Sequence, residues 1–193
     1  ISNLASSLDV LLLILTAGNP IFNKNANETL QNAIKTFKGL PHRMETICAA
    51  KGSNGTKITF INDSKATNVN SLEKCLEALN PSKNKINLIL GGVPKGDKLT
   101  EIQHMLKSIN CAFLIGQSSE DFAKELNLIG VKHQKCNTLQ NAAKLAFNNC
   151  KEIGEDSLLV LSPACASFDQ FANFEERGDE FKAIAEDICK NNQ

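Results

Sequence analysis

Short apolar runs alternate with segments of helical periodicity along most of this chain, and that alternation restricts its fold more than any other feature. Three runs have the composition of fully buried strands: Ile86–Leu90, Cys111–Ile115 and Ser157–Leu161. A weaker strand is predicted over Val131–Cys136, where polar residues interrupt the pattern. Repeated strand–helix units of this kind predict an α/β fold, in which a mainly parallel sheet is covered by helices on both faces.

Capping and turn residues predict a helix in each interval of this pattern. Asn70 with Glu73 is a candidate N-terminal cap, and Ser118 with Asp121 is another, for a helix that ends before Gly130. Four of the predicted helices cover residues 71–79, 118–129, 138–150 and 175–189. A further helix is predicted to begin at Thr100.

The sheet is predicted to open with a β-hairpin. Met44–Ala50 and Lys57–Asn62 have strand composition, and the pair Asn54-Gly55 lies between them. Asn-Gly is the strongest short hairpin signal, because both residues tolerate the positive φ of a tight turn. The first two strands are therefore expected to be antiparallel neighbours.

The first 40 residues are predicted to be a separate helical part. Apolar residues at helical spacing predict helices over 4–16 and 27–38, and a Gly-Leu-Pro sequence then ends the pattern. The domain boundary is therefore placed between residues 1–40 and 41–193. Because the chain opens inside a helix, we expect it to be a piece of a larger protein.

Composition excludes several function classes. The formal net charge is zero, so the chain has no basic field for nucleic acid or for an anionic membrane surface. The apolar run Val10–Leu15 is far shorter than the roughly 20 residues of a membrane span, and no signal peptide is recognisable. We therefore expect a cytoplasmic protein.

Cysteine and histidine usage gives no metal signal. The seven cysteines are an odd number without a CxxC pair, and we expect them to be small buried residues in a reducing compartment. The three histidines are scattered along the chain, which argues against a zinc site.

Three loops that follow predicted strands are candidates for chemistry, because parallel strands bring such loops to one edge of a sheet. Ile61–Asn68 places a carboxylate, a cation and two hydroxyls before a helix N-terminus, which favours an anion. Gly91–Asp97 combines glycines with a lysine but lacks the GxxxxGK[ST] pattern of a phosphate-binding loop. Ser162–Phe174 contains Cys165 and Ser167 without a GxSxG elbow or a clear histidine partner, so neither is predicted to be a nucleophile.

Each of these segments also has an ordinary structural explanation. The first loop is also explained as a helix cap with a solvated lysine, and the second as a plain strand-to-helix turn. By composition alone, Arg43 is a surface residue and His42 a solvated one. Phe168, Phe171 and Phe174 are expected to be core wedges, because no basic–aromatic alternation of a nucleic-acid platform surrounds them.

Four segments in a fixed order carry a family resemblance over residues 39–181. They are GLPHRME (39–45), INDSKATN (61–68), LGGxxKG (90–96) and SPACASFDQFxNFExRGxxF (162–181). Together they resemble the Mur ligase family, the ATP-dependent, amide-forming ligases of bacterial peptidoglycan synthesis. The last segment is most similar to the members that add D-glutamate to UDP-N-acetylmuramoyl-L-alanine.

The resemblance implies an enzyme of three domains, of which this chain has the tail of the central ATPase domain and a whole Rossmann-like C-terminal domain that binds the amino acid. The N-terminal domain and most of the central domain, with its GKS/GKT phosphate loop and carbamylated lysine, are missing. ATP, Mg²⁺, D-glutamate and UDP-N-acetylmuramoyl-L-alanine are implied for the complete enzyme, which works through an acyl phosphate. The chain alone is expected to be an inactive monomer without a catalytic residue, a metal site or a tightly bound cofactor.

The family's binding residues map onto two groups in this chain. The resemblance implies that D-glutamate contacts one group, in part through backbone N–H: Lys95, Thr67, Ser167, Phe168 and Phe174. It implies that the nucleotide contacts the other group: Arg43, Asp63, Lys65, His42 and Asn3. Ser6 is a departure, because the family has asparagine three residues after Asn3.

Two other function classes stay open on the sequence. One is a stand-alone Rossmann-like module that binds a nucleotide or a small acid, although the absence of GxGxxG argues against a dinucleotide. The other is a purely structural or partner-binding domain. A coding segment with GKS or GKT upstream of Ile1 distinguishes the ligase from both.

Overall fold

A computed structural model describes residues 39–192, and this part of the chain forms a six-stranded sheet with helices around it. The strands are β1 (Glu45–Lys51), β2 (Lys57–Asn62), β3 (Lys85–Gly91), β4 (Cys111–Ile115), β5 (His133–Asn137) and β6 (Ser157–Leu161). The α-helices are α1 (Val69–Leu79), α2 (Gln103–Leu106), α3 (Ser119–Ile129), α4 (Leu139–Ile153) and α5 (Phe174–Asn191). Short 3-10 turns cover Ser53–Gly55 and Leu99–Ile102.

The sheet is mostly parallel, as the sequence predicts. Its strand order is β1-β2-β6-β3-β4-β5. Every neighbouring pair from β2 to β5 is parallel, and only the edge strand β1 is antiparallel, to β2. The last strand, β6, lies between β2 and β3, so the loops after these three strands are adjacent at the carboxyl edge.

The opening hairpin turns at the predicted Asn-Gly pair. Asn54 has φ 57° and ψ 25°, and Gly55 has φ 77°. Two successive residues with positive φ are the signature of a type I′ turn, whose twist matches that of the flanking strands. The register that follows pairs Lys51 with Lys57.

Helices cover both faces of the sheet because side chains alternate along the buried strands. In β3, Leu88 and Leu90 belong to one core and Ile89 to the other. The first core is closed by the helices α1 to α3, through side chains that include Leu72, Leu76, Leu106 and Leu126. The second core is closed by α4 and α5, through Phe147, Phe181 and small residues such as Ala143. The predicted fold class is confirmed.

Helix α1 starts earlier than predicted. Its cap is Asn68, whose side chain accepts the N–H of Ser71 at 2.8 Å, whereas Asn70 is exposed in the first turn. Asn68 has the extended backbone that an N-cap needs, and the earlier start buries Val69.

Strand β5 starts later than predicted, because Val131 closes the preceding helix. Gly130, with φ 81°, ends α3, and the N–H of Val131 donates to the carbonyl of Leu126 at 2.9 Å. The helix predicted from Thr100 is a 3-10 turn followed by the single turn α2.

The expectation that all cysteines are unpaired is wrong. Cys48 of β1 and Cys189 of α5 form a disulfide across 141 residues of sequence. Strand β1 packs against the C-terminal part of α5, and this packing brings the two cysteines together. The spacing of cysteines along the sequence does not predict such a pair. The other cysteines in the described residues are free, and all but Cys111 are buried.

Some predictions fall on residues 1–38, which lie outside the described residues: the two N-terminal helices, the contact at Asn3, and the domain boundary that depends on them. In the described part, no helix is both long and apolar enough to cross a membrane.

Candidate functional site

The loops that follow β2, β6 and β3 meet at the carboxyl edge of the sheet. We call them the β2 loop (63–68), the β6 loop (162–173) and the β3 loop (92–98). Two backbone hydrogen bonds join the β6 loop to the β3 loop. The N–H of Val93 donates to the carbonyl of Ala166 at 2.8 Å, and the N–H of Ala166 donates to the carbonyl of Val93 at 3.1 Å. The predicted convergence of the three loops is therefore present.

Side chains join the β2 loop to the segment that follows β6. The hydroxyl of Ser162 donates to Asp63 Oδ2 at 3.0 Å, and the hydroxyl of Ser64 donates to the carbonyl of Phe174 at 2.8 Å. All but Phe174 are buried. This connection fixes the start of α5 against the end of β2.

Two of the residues implied for D-glutamate touch each other across the edge. The ammonium of Lys95 in the β3 loop donates to the hydroxyl of Thr67 in the β2 loop at 3.2 Å. Lys95 is exposed and Thr67 half-buried, so the pair borders solvent. A cation and a hydroxyl in this position can both donate to an incoming carboxylate.

The other three residues of that group lie on the β6 loop and at the start of α5. Ser167 is buried, and its carbonyl accepts the N–H of Phe171 at 2.9 Å. Phe168 is 72% exposed, so the expectation of a core wedge is wrong for this residue. Phe174 is half-buried as the first residue of α5, next to the cap Asn173.

A reciprocal capping arrangement fixes the start of α5. The side chain of Asn173 accepts the N–H of Glu176 at 2.7 Å, and the Glu176 carboxylate accepts the N–H of Ala172 at 2.6 Å. The N–H of Phe174, the first residue of the helix, has no acceptor among the described residues, and a helix N-terminus favours an anion.

Phe174 also connects the two implied groups of residues. The ammonium of Lys65 lies 3.8 Å from the centre of its ring, a cation–π contact. The ring of His42 meets Phe174 edge-on, with centroids 6.2 Å apart. The residues implied for the nucleotide thus adjoin those implied for the amino acid.

His42 is buried, which corrects the composition-based expectation of a solvated side chain. Its Nδ1 lies 3.1 Å from Nδ2 of Asn62, an amide nitrogen that also donates to Glu45 and to the carbonyl of Gly178. Nε2 faces Asp179 at 3.7 Å. A Cβ on Gly178 would overlap the imidazole ring, so glycine is needed there for His42 to occupy this place.

Arg43 is exposed, as composition predicts, whereas Asp63 is buried. Asp63 Oδ1 accepts the N–H of Met44 at 3.2 Å, while Oδ2 is held by Ser162. Burial raises the pKa of Asp63, and the hydrogen bonds from Ser162 and Met44 only partly oppose that shift. Through its two oxygens, Asp63 therefore links the segment before β1 and the β6 loop to the end of β2.

One functional candidate escaped the sequence analysis. Arg177 of α5 is 1% exposed, although an arginine in the first turn of a helix is normally solvated. Its Nε donates to Ser64 Oγ at 3.0 Å, and Nη2 donates to the carbonyls of Ser64 at 2.9 Å and Cys165 at 3.1 Å. Burial lowers the pKa of Arg177 to about 10. Arg177 lies in the last of the four segments that carry the family resemblance, but its burial depends on how the loops fold together, which the sequence does not show.

No cluster of three or more metal-binding side chains occurs between residues 39 and 192. The chemistry that this part of the chain offers is hydrogen-bond donation and positive charge at a sheet edge, which suits a small anion.

Comparison with known proteins gives a consistent picture. Residues 42–165 match the family described as "Mur ligase, glutamate ligase domain". The chain is 39% identical over 159 residues to UDP-N-acetylmuramoylalanine–D-glutamate ligase of Caulobacter sp. strain K31, covering 82% of this chain and 32% of that protein. The ligase of the same name from Elusimicrobium minutum is 39% identical, with 95% of this chain and 37% of that protein covered. The chain thus spans about a third of the length of these curated relatives.

A solved structure supports the fold. UDP-N-acetylmuramate-alanine ligase from Thermotoga maritima is similar with a TM-score of 0.62, over 97% of this chain and 38% of that chain. The sequence identity is 15%, so this likeness concerns the fold alone.

Proposed function

Because this chain belongs to the Mur ligase family, we propose that it is the amino-acid-binding C-terminal part of an ATP-dependent ligase that adds D-glutamate to UDP-N-acetylmuramoyl-L-alanine. In this reaction the terminal carboxylate of the nucleotide-linked substrate is phosphorylated, and the amine of D-glutamate then displaces phosphate from the acyl phosphate. The chain has no GKS or GKT phosphate loop, so the remaining domains of the protein carry the phosphoryl transfer. This chain binds and orients the amino acid, in the bacterial cytoplasm, as part of a monomeric enzyme.

The contact between Lys95 and Thr67 is the observation that carries the proposal. The two side chains come from different loops and lie 3.2 Å apart at the solvent border of the sheet edge. A carboxylate of D-glutamate that enters between them accepts from both, so it bridges the β2 and β3 loops. Placing the amino acid in one orientation is the step that makes attack by its amine effectively unimolecular.

Backbone donors at the β6 loop receive the second carboxylate. The N–H groups of Ser167 and Phe174 border the edge, and neither has a hydrogen-bond acceptor among residues 39–192. The positive end of the α5 dipole adds to their attraction for an anion. Phe168 is exposed next to Ser167, and in this proposal its ring packs on the bound amino acid and limits access of water.

The nucleotide side of the edge fits ATP through its positive charges. Arg43 and Lys65 are accessible to solvent, and the cation–π contact holds Lys65 towards the edge. ATP supplies the phosphoryl group when it is bound, and Mg²⁺ would be held by residues outside this chain. In this proposal Lys65 faces the phosphates, Arg43 and Asp63 face the ribose, and His42 and Asn3 complete the nucleotide contacts.

Activity measurements on a longer protein and on this chain test the proposal together. The complete natural protein that contains these residues should release ADP in the presence of ATP, Mg²⁺ and UDP-N-acetylmuramoyl-L-alanine only when D-glutamate is added. L-glutamate and D-aspartate are the matched controls. The 193-residue chain should release none but should show D-glutamate-dependent amide shifts in NMR at the β2, β3 and β6 loops. A folded complete protein whose ADP release does not depend on D-glutamate would falsify the proposal.

A further inference from the structure

We infer that Arg177 is a positioning residue that holds the three strand-end loops in the geometry needed to bind D-glutamate. The inference rests on the proposed function for the identity of the ligand. The structural claim, that one guanidinium holds the loops in place, depends only on the hydrogen bonds that Arg177 makes.

The contacts of Arg177 span two of the loops at once. Its Nε and Nη2 reach the side chain and the carbonyl of Ser64 in the β2 loop, and Nη2 also reaches the carbonyl of Cys165 in the β6 loop, all within 3.1 Å. A guanidinium has donors in a fixed planar fork, so these contacts set the loops at a defined separation. An ammonium has a single nitrogen and does not reproduce that span.

The third loop lies beside the remaining nitrogen of Arg177. A Cβ at Gly92 would lie 3.2 Å from Nη1 and would overlap the carbonyl of Ala166. Gly92 has φ 135°, a conformation that side chains rarely allow. The β3 loop therefore makes no hydrogen bond to the guanidinium among the described residues, but it lies close enough that a methyl group at position 92 would crowd Nη1.

The burial of Arg177 in this environment lowers the stability of the fold. No carboxylate lies within salt-bridge distance of Arg177 among the described residues, where Asp169 favours its charge only from further away. Nη1 is buried there without a hydrogen-bond partner. An unpaired buried charge is destabilising, and an apolar side chain of similar size would usually be as stable or more stable. We therefore explain the arginine at position 177 by its effect on the geometry of the loops and not by a gain in stability.

The atoms that Arg177 holds are next to the proposed ligand contacts. Ser64 lies three residues before Thr67, and its hydroxyl donates to the carbonyl of Phe174. Cys165 lies two residues before Ser167. Arg177 thus acts on these three contacts through the neighbouring backbone without touching the ligand itself.

Four variants of the complete ligase test this role. Arg177→Lys keeps the charge and loses the fork, Arg177→Met loses both, and Ser64→Ala removes one side-chain acceptor while leaving the guanidinium. Lys190→Met removes an exposed charge from the same helix and is the matched control.

The expected result is a selective loss of D-glutamate binding. With hydrogen bonds to a charged group lost, Arg177→Lys should raise KM for D-glutamate about tenfold, whereas KM for ATP should change by less than about twofold. Ser64→Ala should act in the same direction but more weakly, at about threefold, because its carbonyl still accepts. The effects of Arg177→Lys and Ser64→Ala should be less than additive in the double variant, since both remove the same contact. Lys190→Met should leave both constants unchanged.

An independent readout keeps this inference separate from the proposed function. In the 193-residue chain, amide hydrogen exchange of the β2, β6 and β3 loops should accelerate together in Arg177→Lys and in Ser64→Ala. If the loops loosen but the unmodified protein does not use D-glutamate, the fastening is established and the ligand assignment is wrong. If D-glutamate is used but Arg177→Lys has the KM and loop exchange of the unmodified protein, the inference is overturned. Equal losses for ATP and D-glutamate in Ser64→Ala would also overturn it, because they indicate a general loss of stability.

Discussion

Lys95 and Asp63 occupy opposite environments, although the family resemblance implies a ligand contact for both. Lys95 is exposed and makes one hydrogen bond to another side chain, to Thr67. Asp63 is 8% exposed, and both of its oxygens accept hydrogen bonds inside the protein. Removal of Lys95 should therefore affect binding alone, whereas replacement of Asp63 should also change the stability of the fold.

In the complete ligase, Lys95→Ala should raise KM for D-glutamate much more than KM for ATP. A charge-assisted hydrogen bond contributes about 1.5–3 kcal/mol, which corresponds to roughly ten- to a hundred-fold in the D-glutamate constant. Steady-state kinetics with each substrate varied in turn measures this. Lys98→Ala, an exposed lysine three residues along the same loop, is the control and should have little effect. Unchanged D-glutamate saturation in Lys95→Ala would mean that the amino-acid and nucleotide ends of the edge must be exchanged.

Asp63→Asn should alter the pH dependence of stability. The pKa of Asp63 is raised in the folded state. The contribution of the protonated Asp63 side chain to the free energy of unfolding is therefore fully present below the unfolded-state pKa, about 3.9, and is lost as pH rises through the folded-state pKa. Asparagine keeps the oxygen that accepts from Met44 and can donate to the Ser162 hydroxyl, so it avoids burying a charge. Urea unfolding of both proteins at pH 4 and pH 7 should show the variant gaining relative stability at the higher pH. A difference in stability that does not vary with pH would contradict this.

At the scale of elements, apolar periodicity and turn chemistry were sufficient for most of the fold. The Asn54-Gly55 turn and the buried strand β3 follow from local sequence, because a tight turn and a central strand impose their own residue types. Helix α1 starts two residues before its predicted start, since Asn68 and Asn70 are equally good capping residues and the packing of Val69 decides between them. The burial of Arg177 depends on tertiary contacts, which a local pattern does not contain.

The capping arrangement at the start of α5 should be needed for stability. Asn173→Ala removes the acceptor for the N–H of Glu176, which should lower the free energy of unfolding by about 1 kcal/mol. Urea unfolding of the 193-residue chain measures this. Asn191→Ala, at the exposed end of the same helix, is the control and should cost less. Asn173→Asp should retain most of the stability, since a carboxylate also accepts at an N-cap. A loss as large in Asn173→Asp as in Asn173→Ala would exclude the capping explanation.

At the scale of the whole molecule, the bond between Cys48 and Cys189 joins the edge strand β1 to the last turns of α5. It closes a loop that contains nearly all of the described residues. Thiols in the cytoplasm, the location proposed here, are normally reduced. We therefore expect the sheet, the two cores and the site edge to remain folded with and without this bond.

The bond should stabilise the isolated chain only under oxidising conditions. Adding a reducing agent should lower the free energy of unfolding of the unmodified chain by about 2–4 kcal/mol, because the unfolded chain gains conformational freedom. Cys48→Ser should have the lower stability in both conditions and should not respond to the reducing agent. D-glutamate-dependent amide shifts should be the same in all these states, since the bond lies away from the three loops. A reducing agent that destabilises Cys48→Ser as much as the unmodified chain would show that another cysteine is responsible.

The central position of β6 limits how the amino-acid preference of such a domain can evolve. Its loop contacts a neighbouring loop on each side, by the Val93–Ala166 bridge and by the Ser162–Asp63 bond. An insertion there would displace both neighbours at once, whereas the turn after the edge strand β5 borders only one strand. New specificities should therefore arise by exchange of single side chains around an unchanged centre, and a mutant library aimed at other amino acids should vary positions 67, 95 and 168 while keeping every loop length fixed.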